Sequence, residues 1–150
     1  MQKDTETAEC IRNCLEDGRL IPSQITVSLL KRKIQDIKGY QKLILIDGFP
    51  RNLENVEEWD RQCSDIIKIT KMIYIDVSEK TMHSRILSRA KIENREFDTE
   101  KLAEKRIESF NDETYPVIKQ FMEKRMVAEV DGENSLDEVL DEMTKAIGLT

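Results

Sequence analysis

Apolar residues near the start of the chain recur at the spacing of an α-helix. The set from Ala8 to Leu15 predicts one helix, with Gly18 as its stop. Ser23 is a residue type that caps helices, and it predicts a second helix that Gly39 ends. The buried side of this second helix is expected to carry Ile25, Leu29, Leu30 and Ile34.

Short apolar stretches predict strands at Leu43–Ile46, Met72–Val77 and Met126–Val130. The first and the last of them lead into Asp-Gly pairs, which are a common turn signal. Stretches of this kind suit strands that are buried on both faces, as in a parallel sheet.

Polar capping residues mark helices between and after these strands. Asn52 and Ser78 each precede a helical pattern, and Ser135 forms a capping box with Glu138 before a last helix that ends at Gly148. The expected buried residues of these helices are Leu53, Val56 and Trp59, then Met82, Ile86 and Leu87, and finally Leu136, Val139, Leu140 and Met143.

The segment 90–97 is polar and without periodicity, which predicts a loop. Asp98 or Thr99 then begins a long helix that Pro116 kinks or breaks. Because strands alternate with helices, the sequence predicts a single α/β domain over 1–150 with a parallel sheet.

Composition narrows the function classes. With a net charge of -6, neither a nucleic acid nor an anionic membrane is expected as a partner. No segment approaches the length of a membrane span or has the features of a signal peptide. The cysteines, Cys10, Cys14 and Cys63, are odd in number, and with one His (His83) they favour reduced thiols in the cytoplasm over a zinc site.

The stretch LILIDGFPRNLEN, from Leu43 to Asn55, suits phosphate chemistry. Asp47 would lie beyond the end of a parallel strand, where it can orient water on Mg²⁺. Gly48 allows close backbone approach to a ligand, and Arg51 offers a fork of donors for a phosphate. Taken alone, the Asp-Gly pair is more typical of an ordinary turn than of a phosphate site.

The whole stretch resembles the signature of the adenylate kinase and UMP-CMP kinase family of nucleoside monophosphate kinases. Other segments resemble the same family in the same order, namely Glu16–Ile34, Lys101–Phe110 and Val130–Met143. The resemblance implies a P-loop-kinase-like parallel sheet with flanking helices. It assigns 1–38 to monophosphate binding, 39–89 and 98–150 to the core, and 90–97 to a short lid.

The resemblance also implies roles for individual residues. Arg51, Gly48 and Ile21 would bind the monophosphate, and Asn55 would contact its base. Asn55 and Trp59 are similar to the UMP-CMP kinase branch. The alternative for Asn55 is a helix-surface residue without a ligand.

The lid region resembles the family less closely. Arg89, Arg95 and Arg106 match arginines that hold the transferring phosphoryl group in the family, although each alone would suit a solvated surface charge. Asn94 stands where the family has a glycine, and Phe97 where it has an aspartate. These changes favour reduced catalysis.

The 150 residues contain no G-x-x-x-x-G-K phosphate-binding loop. In the family this loop follows the central strand of the sheet, so we expect the first strand and the P-loop to be missing from this chain. Without that strand, a stable monomer is not expected, and another chain or an upstream segment would have to complete the sheet.

Two functions therefore stay open. In the first, the chain would be an interaction or structural subunit with little activity, for which a cytoskeletal or axonemal assembly would be a suitable setting. Alternatively, it is a UMP, CMP or AMP kinase that uses ATP with Mg²⁺ and obtains its P-loop from an upstream segment or from another chain.

Overall fold

A computed structural model describes residues 2–37, 43–93 and 100–148. The chain divides into two compact units, Met1–Lys68 and Ile69–Thr150. Among the described residues the secondary structure is α/β, with strands that form a parallel pair. No helix in these ranges is both long enough and apolar enough to be a candidate membrane span.

The first unit is helical. Its helices are α1 (Gln2–Asp17), α2 (Ser23–Asp36) and α3 (Leu53–Cys63). Helix α1 ends as predicted, because Gly18 has a left-handed φ of 68°. The N–H groups of Gly18 and Arg19 then donate to the carbonyls of Leu15 and Cys14, which is a Schellman ending.

The core of the first unit is formed by Cys14, Val27, Trp59 and Cys63, each at most 3% exposed. Burial raises the pKa of both Cys14 and Cys63, because an apolar surrounding disfavours the thiolate. The predicted buried side of helix α2 is wrong for Leu29, which is 41% exposed, and it omitted the fully buried Val27. The other predicted residues, Ile25, Leu30 and Ile34, are half-buried. The predicted stop at Gly39 lies outside the described residues.

The predicted strand at 43–46 is wrong. These residues have no strand assignment, and Leu45 is 62% exposed. A strand needs a neighbouring backbone to satisfy its N–H and C=O groups. Among the described residues no such neighbour pairs with 43–46. The leucines of this apolar stretch are therefore exposed, although its composition suits burial.

The second unit contains β1 (Met72–Asp76), α4 (Glu79–Glu93), α5 (Glu100–Ser109), α6 (Tyr115–Glu123), β2 (Val127–Asp131) and α7 (Leu136–Ile147). Strands β1 and β2 confirm two of the predicted strands and pair in parallel, with Ile75 opposite Val130. The turn after β2 passes so close to β1 that a Cβ on Gly132 would lie 2.6 Å from Cγ2 of Ile75. Glycine is therefore required at this position.

The helices of this unit follow their predicted caps, with corrections at two places. The predicted loop 90–97 begins later, because α4 continues to Glu93. The predicted helix start at Asp98 or Thr99 and the rest of that loop lie outside the described residues. A π-helical turn, Phe110–Thr114, separates α5 from α6. This interruption lies just before Pro116, where a kink or break was predicted because proline cannot donate a backbone hydrogen bond.

Helix α7 is capped at both ends and has an exposed apolar side. The capping box of Ser135 and Glu138 is present, and Gly148 closes the helix with a φ of 71°. The predicted burial of its leucines is wrong, since Leu136 is 73% and Leu140 49% exposed. The cause is that the described residues pack against only part of this amphipathic helix.

The N-terminus of α4 is held by a carboxylate from the loop after β2. Glu133 accepts hydrogen bonds from the backbone N–H of Ser78 at 2.8 Å and from the hydroxyl of Thr81 at 2.8 Å. These bonds lower the pKa of Glu133 below its usual 4.5. A carboxylate at this position also complements the helix dipole.

We expect the second unit to lose stability in acid through Glu133. Because its folded pKa is lowered, the stabilisation is present above the unfolded pKa and is lost as the pH falls below about 4.5. Glu133→Gln should lower the melting temperature by a few degrees at pH 7 and show a smaller further decrease at pH 3, as measured by circular dichroism. Glu104→Gln, at an exposed position of α5, is the control. Equal acid sensitivity of Glu133→Gln and the unmodified chain would contradict the assignment.

Candidate functional site

The turn before α3 places an arginine over a glycine. Gly48 has a left-handed φ of 65° and Phe49-Pro50 is a cis peptide. The Nε of Arg51 donates to the carbonyl of Gly48 at 2.7 Å. A Cβ on Gly48 would lie 2.6 Å from Nη2 of Arg51. The turn needs glycine for its backbone conformation, whereas the guanidinium ends a flexible, exposed side chain that can move away from a Cβ at the loss of its hydrogen bond.

Helix α3 begins at this turn with a polar cap. The side chain of Asn52 accepts from the backbone N–H of Asn55 at 2.8 Å, which confirms the predicted cap. Phe49 packs on Trp59 at 5.3 Å between ring centroids. The predicted burial of α3 is confirmed for Trp59 and wrong for Leu53, which is 47% exposed. The aromatic pair anchors the turn to the buried side of the helix.

The start of α2 contributes a buried serine that the sequence did not assign to the site. The N-cap of α2 is Pro22, so the predicted capping role of Ser23 is wrong. Ser23 is 1% exposed and accepts from Nδ2 of Asn55 at 2.7 Å. A serine at the start of a helical pattern predicts an N-cap. No signal in the sequence distinguishes a capping serine from one whose side chain is buried, as Ser23 is.

The remaining predicted residues of this unit flank the turn. Asp47 is exposed and directly precedes Gly48, while Ile21 is half-buried in the connection between α1 and α2. The structure thus brings Gly48 and Arg51 into contact, and the side chain of Asn55 accepts a hydrogen bond from the backbone N–H of Arg51 at 3.0 Å. The roles predicted for these side chains in binding a ligand stay predictions.

The arginines of the second unit lie on neighbouring helices. Arg89 is half-buried near the end of α4, and Arg106 is half-buried on α5, which packs against α4. Arg95 lies outside the described residues. Their predicted roles toward a transferring phosphoryl group also stay predictions.

The described part of the chain contains no preformed metal site, and the sequence contains no phosphate-binding loop for ATP. Within the described ranges, no group of three or more His, Cys, Asp or Glu side chains is placed to hold a metal ion. The sequence also has no glycine-rich loop with the spacing that cradles a triphosphate. Asp47 remains as one carboxylate that could orient metal-bound water.

Comparisons with known proteins agree on one family. The family model described as adenylate kinase matches residues 1–126. The UMP-CMP kinase of Sus scrofa is 32% identical over 145 residues, which are 95% of this chain and 74% of that protein. The human UMP-CMP kinase is 31% identical with the same coverage. The uridylate kinase of Saccharomyces cerevisiae is 32% identical over 95% of this chain and 69% of its own length.

We expect Gly48→Ala to destabilise the first unit by more than its backbone strain alone. A left-handed alanine costs about 1–2 kcal/mol, and displacing the Arg51 guanidinium from its hydrogen bond to the Gly48 carbonyl adds a smaller cost. Denaturant unfolding followed by the fluorescence of Trp59, the sole tryptophan, measures the effect. Gly148→Ala, whose Cβ would have no atom within 4 Å, gives the backbone cost alone by circular dichroism.

The contribution of Arg51 is separated by the double variant Gly48→Ala with Arg51→Ala. Removing the guanidinium should reduce the cost of Gly48→Ala to the level of Gly148→Ala. An unchanged cost in the Arg51→Ala background would show that Arg51 does not lie over the turn.

Proposed function

Since the chain belongs to the adenylate kinase family, we propose that it is a kinase-like protein that binds a nucleoside monophosphate without phosphorylating it alone. We further propose that it serves as a structural or interaction subunit of a larger assembly. The observation that carries the first part is the contact of Arg51 with Gly48 in a turn built around glycine.

The site would bind its ligand mainly through the phosphate. Arg51 is exposed at the turn, and a guanidinium can bind a phosphate through two parallel hydrogen bonds. Gly48, which has no side chain, would let the phosphate approach the turn next to the Arg51 guanidinium that lies against it. Ile21 would contribute an apolar contact and Asn55 the predicted contact to the base.

The absence of a G-x-x-x-x-G-K sequence in these 150 residues supports the lack of independent catalysis. Donor triphosphate binding in P-loop kinases depends on the backbone N–H groups and the lysine of that loop. A chain without these groups has no equivalent cradle for ATP. Degenerate lid positions such as Phe97 support the same conclusion, and we regard the chain as a pseudoenzyme when it acts alone.

The second candidate function is an active kinase for UMP, CMP or AMP. The predicted phosphoryl-contacting arginines favour it, because Arg89 and Arg106 are both present on helices that pack together. Its P-loop would be supplied by an upstream segment or by another chain. The reaction would then convert ATP and a nucleoside monophosphate to ADP and a diphosphate, with Mg²⁺ held through water at Asp47 and with Arg95 joining the other arginines. If the chain is inactive, no cofactor is needed.

The exposed stretch at 43–46 would support the subunit role, because it could pair with a strand from another chain. Leu43 is 39% and Leu45 is 62% exposed in a stretch with no backbone partner among the described residues. A strand from another chain would satisfy its N–H and C=O groups and cover its side chains. We propose the cytoplasm as the location, in keeping with the free cysteines, and a cytoskeletal or axonemal complex as one suitable assembly. No nucleic acid or membrane takes part in this proposal.

The binding and catalytic parts are tested with Arg51→Ala. Calorimetric titration with UMP, CMP and AMP should show that Arg51→Ala weakens binding about 10-fold or more, as expected for a lost charge-assisted hydrogen bond. Arg32→Ala, which removes an exposed arginine from α2, should leave the affinity unchanged. Coupled assays with ATP should give background rates for the unmodified chain and for both variants.

Each outcome separates the two functions. Equal affinity of the unmodified chain and Arg51→Ala would exclude the monophosphate site. Diphosphate production that depends on Arg51 would establish the active kinase and exclude the pseudoenzyme.

The subunit role is tested on the isolated 150-residue chain by sedimentation velocity and scanning calorimetry. We expect self-association or a broad melt, because the stretch at 43–46 lacks a partner. Leu45→Asp should reduce association, whereas Ile66→Asp, at a position that is 44% exposed in the same unit, should not. A monodisperse monomer with a cooperative melt would exclude the need for a partner strand.

A further inference from the structure

Helix α1 carries two cysteines on one face. Cys10 and Cys14 are four residues apart, and side chains at this spacing are neighbours on the surface of a helix. Their thiols share a hydrogen bond, so the two side chains are in contact. The candidate site at Gly48 and Arg51 uses neither thiol, and the pair is therefore available for a separate role.

The two thiols differ in their access to solvent. Cys14 belongs to the core of the first unit and is 3% exposed, whereas Cys10 is half-buried. Neither forms a disulfide. A ligand can therefore reach Cys10 from solvent and then bind Cys14 from the same side, while the core around Cys14 keeps water away from that sulfur.

A positive charge lies beside the pair. The end of α1 brings Arg19 next to Cys14, since the backbone N–H of Arg19 donates to the carbonyl of Cys14 at 2.9 Å. Burial raises the pKa of the Cys14 thiol, and the charge of Arg19 acts in the opposite direction. Asp17 pairs with this guanidinium at 2.7 Å and offsets part of its charge. The remaining charge favours an anionic thiolate complex at the pair.

The number of ligands narrows the class of ion. Within residues 2–37, 43–93 and 100–148, no group of three or more His, Cys, Asp or Glu side chains is placed to hold a metal. Structural zinc and iron–sulfur clusters take four protein ligands, and Mg²⁺ and Ca²⁺ take oxygen ligands. Thiolates select soft ions, and among these Cu(I) is stable with only two sulfur ligands.

We propose that Cys10 and Cys14 form a two-sulfur site for Cu(I). Binding replaces the two S–H bonds with two Cu–S bonds and releases both protons to water, without transfer of an electron. Because the helix already holds the thiols together, binding requires little ordering of the chain. The site is independent of the monophosphate site proposed above.

The test is a competition between the full, reduced chain and the Cu(I) chelator bathocuproine disulfonate, without oxygen. The unmodified chain should withdraw one Cu(I) per chain. Cys10→Ser should weaken binding by about 100-fold or more, because even the loss of an outer partner of a metal ligand costs about 10–100-fold. Cys63→Ser, which removes a thiol outside the pair, should retain the site. Equal affinity of Cys10→Ser and the unmodified chain would overturn the proposal.

A shifted cysteine separates this site from adventitious binding by free thiols. The double variant Glu9→Cys with Cys10→Ser keeps three cysteines but places one of them five residues from Cys14, at an exposed position on another side of α1. We expect it to bind Cu(I) as weakly as Cys10→Ser does. Recovery of the affinity of the unmodified chain would show an adventitious ion only.

X-ray absorption at the copper edge gives a measurement that needs no variant. The loaded chain should show two sulfur neighbours around the copper and no nitrogen or oxygen ligand. A third sulfur would overturn the two-sulfur site, because it would have to come from Cys63 or from another molecule. Excess Zn²⁺ should not displace the copper, since the pair offers half the ligands of a structural zinc site. Displacement by Zn²⁺ would contradict the preference for Cu(I).

Discussion

The side chain of Asn55 joins parts of the first unit that are distant in sequence. It receives the backbone of Arg51 and is held by Ser23, which lies 32 positions away along the chain. A buried amide with both ends satisfied is favourable, whereas a half-satisfied one is costly. These bonds therefore constrain the turn at Gly48 together with the starts of α2 and α3. They also fix the backbone position from which the exposed side chain of Arg51 extends.

Backbone pairing explains the second unit in the same way. Strands β1 and β2 satisfy each other, and Gly132 lets the following turn pass close to Ile75. The residues at 43–46 have similar composition but no partner in the described part of the chain, and they form no strand. Apolar composition is therefore insufficient, because a strand also requires a neighbour.

Local signals account for what the sequence predicts well. The cap at Asn52, the capping box at Ser135 and the stops at Gly18 and Gly148 depend on residues within a few positions, and the structure confirms them. Burial was predicted less well, as the exposed Leu136 shows, since it depends on which elements come together. In the candidate site, the closeness of Gly48 and Arg51 follows from the family signature. The buried bond between Ser23 and Asn55 does not, because no local pattern encodes a contact between two helices.

The buried thiols of the first unit give the molecule a chemical property of its own. Cys14 and Cys63 lie in the core, and burial raises the pKa of each, so both carry little of the thiolate that reacts with alkylating agents and oxidants. Cys10 is partly accessible. Mild alkylation would thus mark one position of the folded chain, and the appearance of further modified thiols would report the opening of the helical unit.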